Sequence, residues 1–168
     1  MSLASEGGYD AVQMRDVATS AQVALGTIYR YFSSKDHLLA ASMVEWARDL
    51  QRRVAQRPAR GDTAADRVIE IVRRATRNLE REPQLTAALI TAMSSTDPAV
   101  KPCQREVGEL MSAVLAGAMA DVDEDRRAGV CRVLTHVWFS ALIGWVSGWG
   151  DGVDVAGEVE HAAHLLLR

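Results

Sequence analysis

Apolar positions recur with a helical period along most of the chain, and the first interruption of that period is the most informative. Met14, Val17 and Ala18 fall at i, i+3 and i+4, with Arg15, Asp16, Thr19 and Ser20 off that face, which predicts a short helix. The pattern stops over Ala21 to Ala24. It resumes at Leu25 with Ile28 and Phe32 on one side, turning Thr27, Tyr29, Arg30 and Tyr31 to other faces. Two short helices joined by a tight turn, the second presenting hydroxyls, phenols and a guanidinium, make a helix-turn-helix in sequence form. In such a motif the second helix enters the major groove of DNA with its N-terminal residues, here Gly26 and Thr27, toward the bases. Ser33 and Ser34 offer an N-cap for the next helix, and Lys35 in its first turn can reach a phosphate. On spacing alone, an ordinary helical hairpin with exposed tyrosines fits about as well.

The period continues downstream. Asp36 to Arg57 predicts a long connecting helix with a stripe of Leu38, Leu39, Ser42, Met43, Trp46, Leu50 and Val54. Arg57-Pro58-Ala59-Arg60-Gly61-Asp62 punctuates the chain, and Asp62 or Thr63 can cap the next helix. Val68, Ile69, Val72, Ala75 and Leu79 define that helix. Pro83 opens a second through Leu85, Leu89 and Met93, and a third carries Val107, Leu110, Met111, Val114, Leu115 and Met119. The acidic turn Asp121 to Asp125 suits the N-terminus of a fourth, about Glu124 to Trp149, and Val155 to Leu167 reads as the last. No strand alternation or internal repeat interrupts this, so the fold class is all-α. The expected division is a helix-turn-helix domain over 1–40 and a larger helical domain over 41–168.

The N-terminus departs from this order. A helix-turn-helix needs a preceding helix to close its core, yet only Met1 to Glu6 stand before Gly7 and Gly8, room for a last turn containing Leu3 and Ala4. The expectation is a first helix that is truncated and ends at the glycines.

Composition narrows the chemistry. The 168 residues are 48% apolar with a net charge of −3, so no general basic field drives nucleic-acid binding. Residues 1–57 carry seven Lys or Arg against six acids, and affinity for DNA must therefore come from placed contacts and from dimerisation. Cys103 and Cys131, widely spaced and without a CxxC, read as buried, reduced cytosolic thiols, which makes the expected location cytoplasmic. His37, His136, His161 and His164 match no metal-ligand spacing, and no nucleophile elbow or glycine-rich phosphate loop is present. No metal, cofactor or enzymatic activity is expected. Val133 to Gly150 lacks a formal charge but holds Thr135, His136, Ser140, Ser147 and three glycines, a better fit to a buried helix than to a membrane span.

At Gly8 to Leu39, the run GYDAVQMRDVATSAQVALGTIYRYFSSKDHLL resembles the DNA-binding signature of the TetR family of bacterial repressors, and most resembles the branch controlling cholesterol breakdown in actinobacteria. The similarity continues weakly into VLTHVWFSALIGWV at Val133 to Val146. It implies contacts to bases or phosphates from Arg15, Thr27, Tyr29, Arg30, Tyr31 and Lys35. Three positions depart from the family pattern: Gln13 where a capping Thr is usual, Gln22 where the turn usually has Gly, and Ala24 where a Ser cap is usual.

The fourth helix is apolar nearly all round and must be covered on more than one side; a second copy of the same helix is the simplest cover. Phe139, Val146, Trp149, Val159, His161 and Leu165 are the candidate dimer contacts, and the resemblance implies the same homodimer. Met93, Met111, Met119, Trp138, Leu142 and Trp145 supply large adaptable side chains for an apolar effector pocket, although helically spaced aromatics are more often plain core. The resemblance implies a steroid-derived effector, carried as a coenzyme A thioester, and Arg73, Arg74, Arg77 or Arg105 are the candidates to meet its phosphates at the rim. The function expected is a repressor that binds a palindromic operator as a dimer and leaves it when the effector shifts the connecting helix. A helical ligand-binding dimer that has lost DNA binding is the alternative.

Overall fold

The computed structural model describes residues 2–148 and 154–167. In order these form α1 (Ser2–Ala11), α2 (Met14–Ser20), α3 (Leu25–Tyr31), α4 (Lys35–Gln56), α5 (Ala64–Glu80), α6 (Pro83–Met93), α7 (Lys101–Ala118), α8 (Glu124–Ser147) and α9 (Val155–Leu166). They gather into two compact units, Met1–Trp46 with Glu82–Val107, and Ala47–Arg81 with Gly108–Arg168. Helices α4 and α7 each contribute to both.

In the first unit α1 packs on α6, and Ala4 is buried. The helix does not stop at the glycines: it continues to Ala11 through a break at Gly8, whose φ of 66° and ψ of −158° only glycine adopts without strain. Met14, Ala18 and Ile28 form the centre of a small core closed by Val17, Leu25, Phe32 and Leu38, the apolar set the helical period predicts. Each side chain is modest, so this core is thin, and the turn geometry between α2 and α3 matters correspondingly.

In the second unit α9 packs on α5 and α8. Thr63 and Asp66 form a reciprocal capping box that starts α5, whose inner face buries Val68, Ile71, Val72, Ala75 and Leu79. Asp123 accepts from the amides of Asp125 and Arg126 to start α8. By length and composition α8 could cross a membrane, with a mean hydropathy of 1.3 over its most apolar stretch, of which 39% is buried inside the chain. Its inner side is Cys131, Leu134, Trp138 and Leu142, and the Trp138 indole N–H donates to Thr76 Oγ1 at 3.1 Å. Burying Leu134 and Leu142 completely contributes about 1.5–3 kcal/mol each. The outer side remains only partly covered.

Candidate nucleic-acid interface

The interface is assembled from α2, its turn, α3 and the first turn of α4. Gln13 occupies the N-cap of α2 without a capping side chain, its amide instead donating to the Asp10 carbonyl at 3.1 Å. The exit from α2 is a Schellman turn: Val23 N–H donates to the Ala18 carbonyl at 3.0 Å and Gln22 N–H to the Thr19 carbonyl at 3.1 Å. The residue at the bend must be left-handed, and Gln22 has φ 56°. Among the described residues it is the one non-glycine with positive φ. Ala24 then caps α3 with extended backbone but no side-chain acceptor. All three departures from the family pattern thus fall where the backbone most needs the missing chemistry.

Helix α3 turns its polar side outward. Tyr29 is 51% and Tyr31 62% exposed, large values for aromatic side chains in a folded protein. The Arg30 guanidinium donates to Tyr31 Oη at 3.2 Å and lies 5.1 Å from that ring's centroid, so the two form a paired donor group on the surface. Thr27 is half-buried and Gly26 exposed, and a Cβ added at Gly26 would meet nothing within 4 Å. Glycine is therefore not required there by the protein's own packing.

A cleft of about 620 Å³ brings Arg15 of α2, Tyr29 of α3 and Lys35 of α4 into one lining, with Ser33, Ser34, the first residues of α2 and one carboxylate, Asp16, beside them. Guanidinium, phenol, hydroxyls and ammonium around an open groove form the donor set that grips a phosphate backbone. Lys35 does more than its position suggests. Its ammonium donates to the Tyr9 carbonyl at 3.2 Å and sits 3.9 Å from the Tyr9 ring centroid, tying α4 to α1. The spacing of residues along α4 does not signal this bond.

The same corner holds a polar chain that sequence reasoning missed. Ser34 accepts from the His37 amide at 3.1 Å, the N-cap role expected of it, and also donates to Asp97 Oδ2 at 2.6 Å. The Ser34 hydroxyl and the Ala99 amide hold the Asp97 carboxyl below its ordinary range. Tyr9 Oη donates to Asp36 Oδ1, and Ser95 donates to Asp36 Oδ2 at 2.6 Å. Burial first, and then the bond to Asp36, push the Tyr9 phenol up to about 12. Helices α1 and α4 are thereby pinned to the loop after α6.

The remaining nominated residues divide. Met111, Met119, Trp138 and Leu142 are buried in the second unit and Met93 in the first, while Trp145 is half-buried. An apolar cleft of about 300 Å³ in the second unit is lined by Val54 and Ala55 of α4, Ile71 of α5, and Ala113, Val114 and Gly117 of α7, none of them nominated. Phe139 and Val146 are half-buried, His161 is exposed and Leu165 is 62% exposed. Val159 is a correction: it has no exposed surface because it faces the interior of its own chain, and it has nothing to offer a partner. Trp149 lies outside the described residues. Cys103 and Cys131 are both buried free thiols, and burial raises both above the ordinary thiol value.

Comparison with known proteins identifies the family. Residues 1–42 match the profile of the bacterial regulatory proteins of the tetR family, and residues 61–166 that of a tetracyclin repressor-like C-terminal domain. The HTH-type transcriptional repressor KstR of Rhodococcus jostii is 40% identical over 99% of this chain and 78% of its own length. KstR of Mycolicibacterium smegmatis is 34% identical over 99% of this chain and 82% of its own. Among solved structures, a TetR transcriptional regulator from Rhodococcus sp. RHA1 superposes with a TM-score of 0.87 at 31% identity, covering 99% of this chain and 90% of that one. Thermus thermophilus FadR, a repressor solved in complex with lauroyl-CoA, shares the fold with a TM-score of 0.79 at 21% identity, covering 99% and 89%. The relatives are transcriptional regulators rather than enzymes, and with both family models and these identities the chain belongs to the TetR family.

Proposed function

We propose that this TetR-family chain is a cytoplasmic repressor that binds a palindromic operator as a homodimer and is released by an apolar effector. The observation that carries the DNA reading is the joint lining of one groove by Arg15, Tyr29 and Lys35, beside an α3 whose Tyr29 and Tyr31 stand in solvent. In this reading Gly26, Thr27 and the Arg30–Tyr31 pair meet base edges or phosphates. Residues 1–40 read DNA, and residues 41–168 bind effector and partner. Two copies presenting α3 about 34–36 Å apart would read half-sites one turn apart on one face of the duplex.

The partly covered side of α8, with Phe139, Trp145 and Val146, and the exposed Leu165 of α9 supply the apolar surface for a self-complementary interface. The effector reading is supported by the apolar cleft at Val54, Ile71 and Val114, by the KstR relatives and by the lauroyl-CoA complex of a protein with the same fold. A steroid-derived coenzyme A thioester combines an apolar body with a phosphorylated carrier. Such an effector acts only through a difference in affinity between two states; a coupling of about 1–3 kcal/mol weakens operator binding roughly 5- to 150-fold.

Fluorescence anisotropy with palindromic DNA from the upstream region tests this at two salt concentrations. Tight binding that weakens steeply with salt, and that Tyr29→Ala abolishes with helical content intact, is the expected result. If Tyr29→Ala and Arg15→Ala both leave binding unchanged, the motif is scaffold and the reading fails.

A further inference from the structure

The second unit carries a basic groove separate from the DNA-facing corner. It lies along the C-terminal half of α4 and the outer face of α5, encloses about 430 Å³, and is lined by Arg53, Arg57, Arg74, Arg77 and Arg81. Glu70 is the one carboxylate in that lining, and Arg53 is ion-paired with Asp49 on its own helix, which leaves Arg57, Arg77 and Arg81 as a positive excess that solvent or a bound anion must offset.

Part of the groove is rigid. Arg74 donates to the Arg57 carbonyl at 2.7 Å and to Glu70, and only 20% of its side chain is exposed. Glu70 also accepts from the Arg60 amide, so its charge is already consumed by the chain. Although burial opposes ionisation of Glu70, the Arg60 amide, Arg74 and Arg57 together hold its carboxyl below the ordinary range. The guanidiniums of Arg77 and Arg81, by contrast, have no hydrogen-bond or ion-pair partner among the described residues. Planar guanidiniums free at a groove wall, with a fixed one beside them, match the bidentate geometry of phosphate recognition. Val54 lines both this groove and the apolar cleft.

We propose that this arginine groove is a binding site for an anion carrying two or more phosphate groups and that, where the anion heads an apolar ligand, the tail occupies the cleft beyond Val54. The proposal deepens the effector reading above and rests on it for the link to operator release. The shared chemistry is a pyrophosphate, either free or at the head of a larger apolar ligand.

Calorimetric titration of the full chain with inorganic pyrophosphate, ADP and farnesyl pyrophosphate tests it. Saturable binding of pyrophosphate or ADP is expected, weakened about tenfold or more by Arg77→Gln with Arg81→Gln, two exposed positions whose loss leaves the fold intact. Arg132→Gln, an exposed arginine of α8 outside the groove, should change nothing. Tighter binding of farnesyl pyrophosphate, lost when Gly117→Leu fills the cleft, assigns the tailed source; equal affinity for all three, unaffected by Gly117→Leu, assigns the free one. Absence of saturable binding, or equal weakening by Arg132→Gln, overturns the proposal, as does displacement of pyrophosphate by random duplex DNA. Operator anisotropy separates the two readings: the double variant should bind operator as the parent does without ligand. A parent that binds pyrophosphate but no operator refutes the repressor reading and leaves the groove standing.

Discussion

Replacing Gln22 by glycine should stabilise the first unit. Gln22 sits at φ 56° in the left-handed position of the Schellman turn that ends α2, where a side chain crowds the following carbonyl. Holding a non-glycine residue there costs about 1–2 kcal/mol. Glycine removes that cost but adds about 0.4–1 kcal/mol of conformational entropy to the unfolded chain. The net expectation is a gain of about 0.5–1 kcal/mol, a rise in midpoint of roughly 1–4 °C for a chain of this size. Circular dichroism during thermal unfolding reads the global effect, and hydrogen exchange at the Val23 amide reads the local one. Gln22→Ala provides the control, since it keeps the strain and should gain little. Gln22→Val, β-branched, should lose more than 1 kcal/mol, roughly the energy of one left-handed residue. If Gln22→Gly instead lowers the midpoint, residue 22 does not bear left-handed strain and the turn has been misread.

Three more outcomes concern the same corner. Ala24→Ser supplies the side-chain acceptor that the N-cap of α3 lacks and should add about 0.5–2 kcal/mol, measurable by urea unfolding. Gly26→Ala should stabilise α3 by roughly 1 kcal/mol, because nothing in the protein opposes a Cβ there, while weakening operator binding in anisotropy if DNA approaches that backbone. The Tyr9 phenol is raised from 10.0 to about 12, so its contribution to stability is complete below pH 10 and is lost as pH rises through about 12. The ultraviolet titration difference between the parent and Tyr9→Phe should show that late ionisation, and Tyr9→Phe should flatten the alkaline limb of stability.

The helical period identifies the core of the reading motif because its residues are near neighbours in sequence: Met14, Ala18 and Ile28 meet through two adjacent helices. The caps at Ser34, Thr63 and Asp123 are legible for the same local reason. Val159 is misassigned by periodicity because α9 has apolar residues on more than one side, and the period does not say which side faces its own chain. The bond from Lys35 to Tyr9, the link from Ser34 to Asp97 and the partnership of Trp138 with Thr76 join residues distant in sequence, and no spacing rule encodes them. The basic groove is half legible: Arg74 and Arg77 stand out on α5, but Arg53 and Arg57 arrive from α4 and the turn after it.

The first unit is discontinuous, made of Met1–Trp46 and Glu82–Val107, and its α1 rests on α6. During synthesis the helix-turn-helix therefore leaves the ribosome before the helix that supports its unit has been made. It waits, thinly packed, while residues 47–81 emerge. A nascent or proteolysed fragment ending near Trp46 has its small three-residue centre but neither α6 nor the Ser95 and Asp97 partners, and should be marginal. The long-range closure makes this unit the slower to complete, and ties the appearance of a competent reading head to translation past Val107.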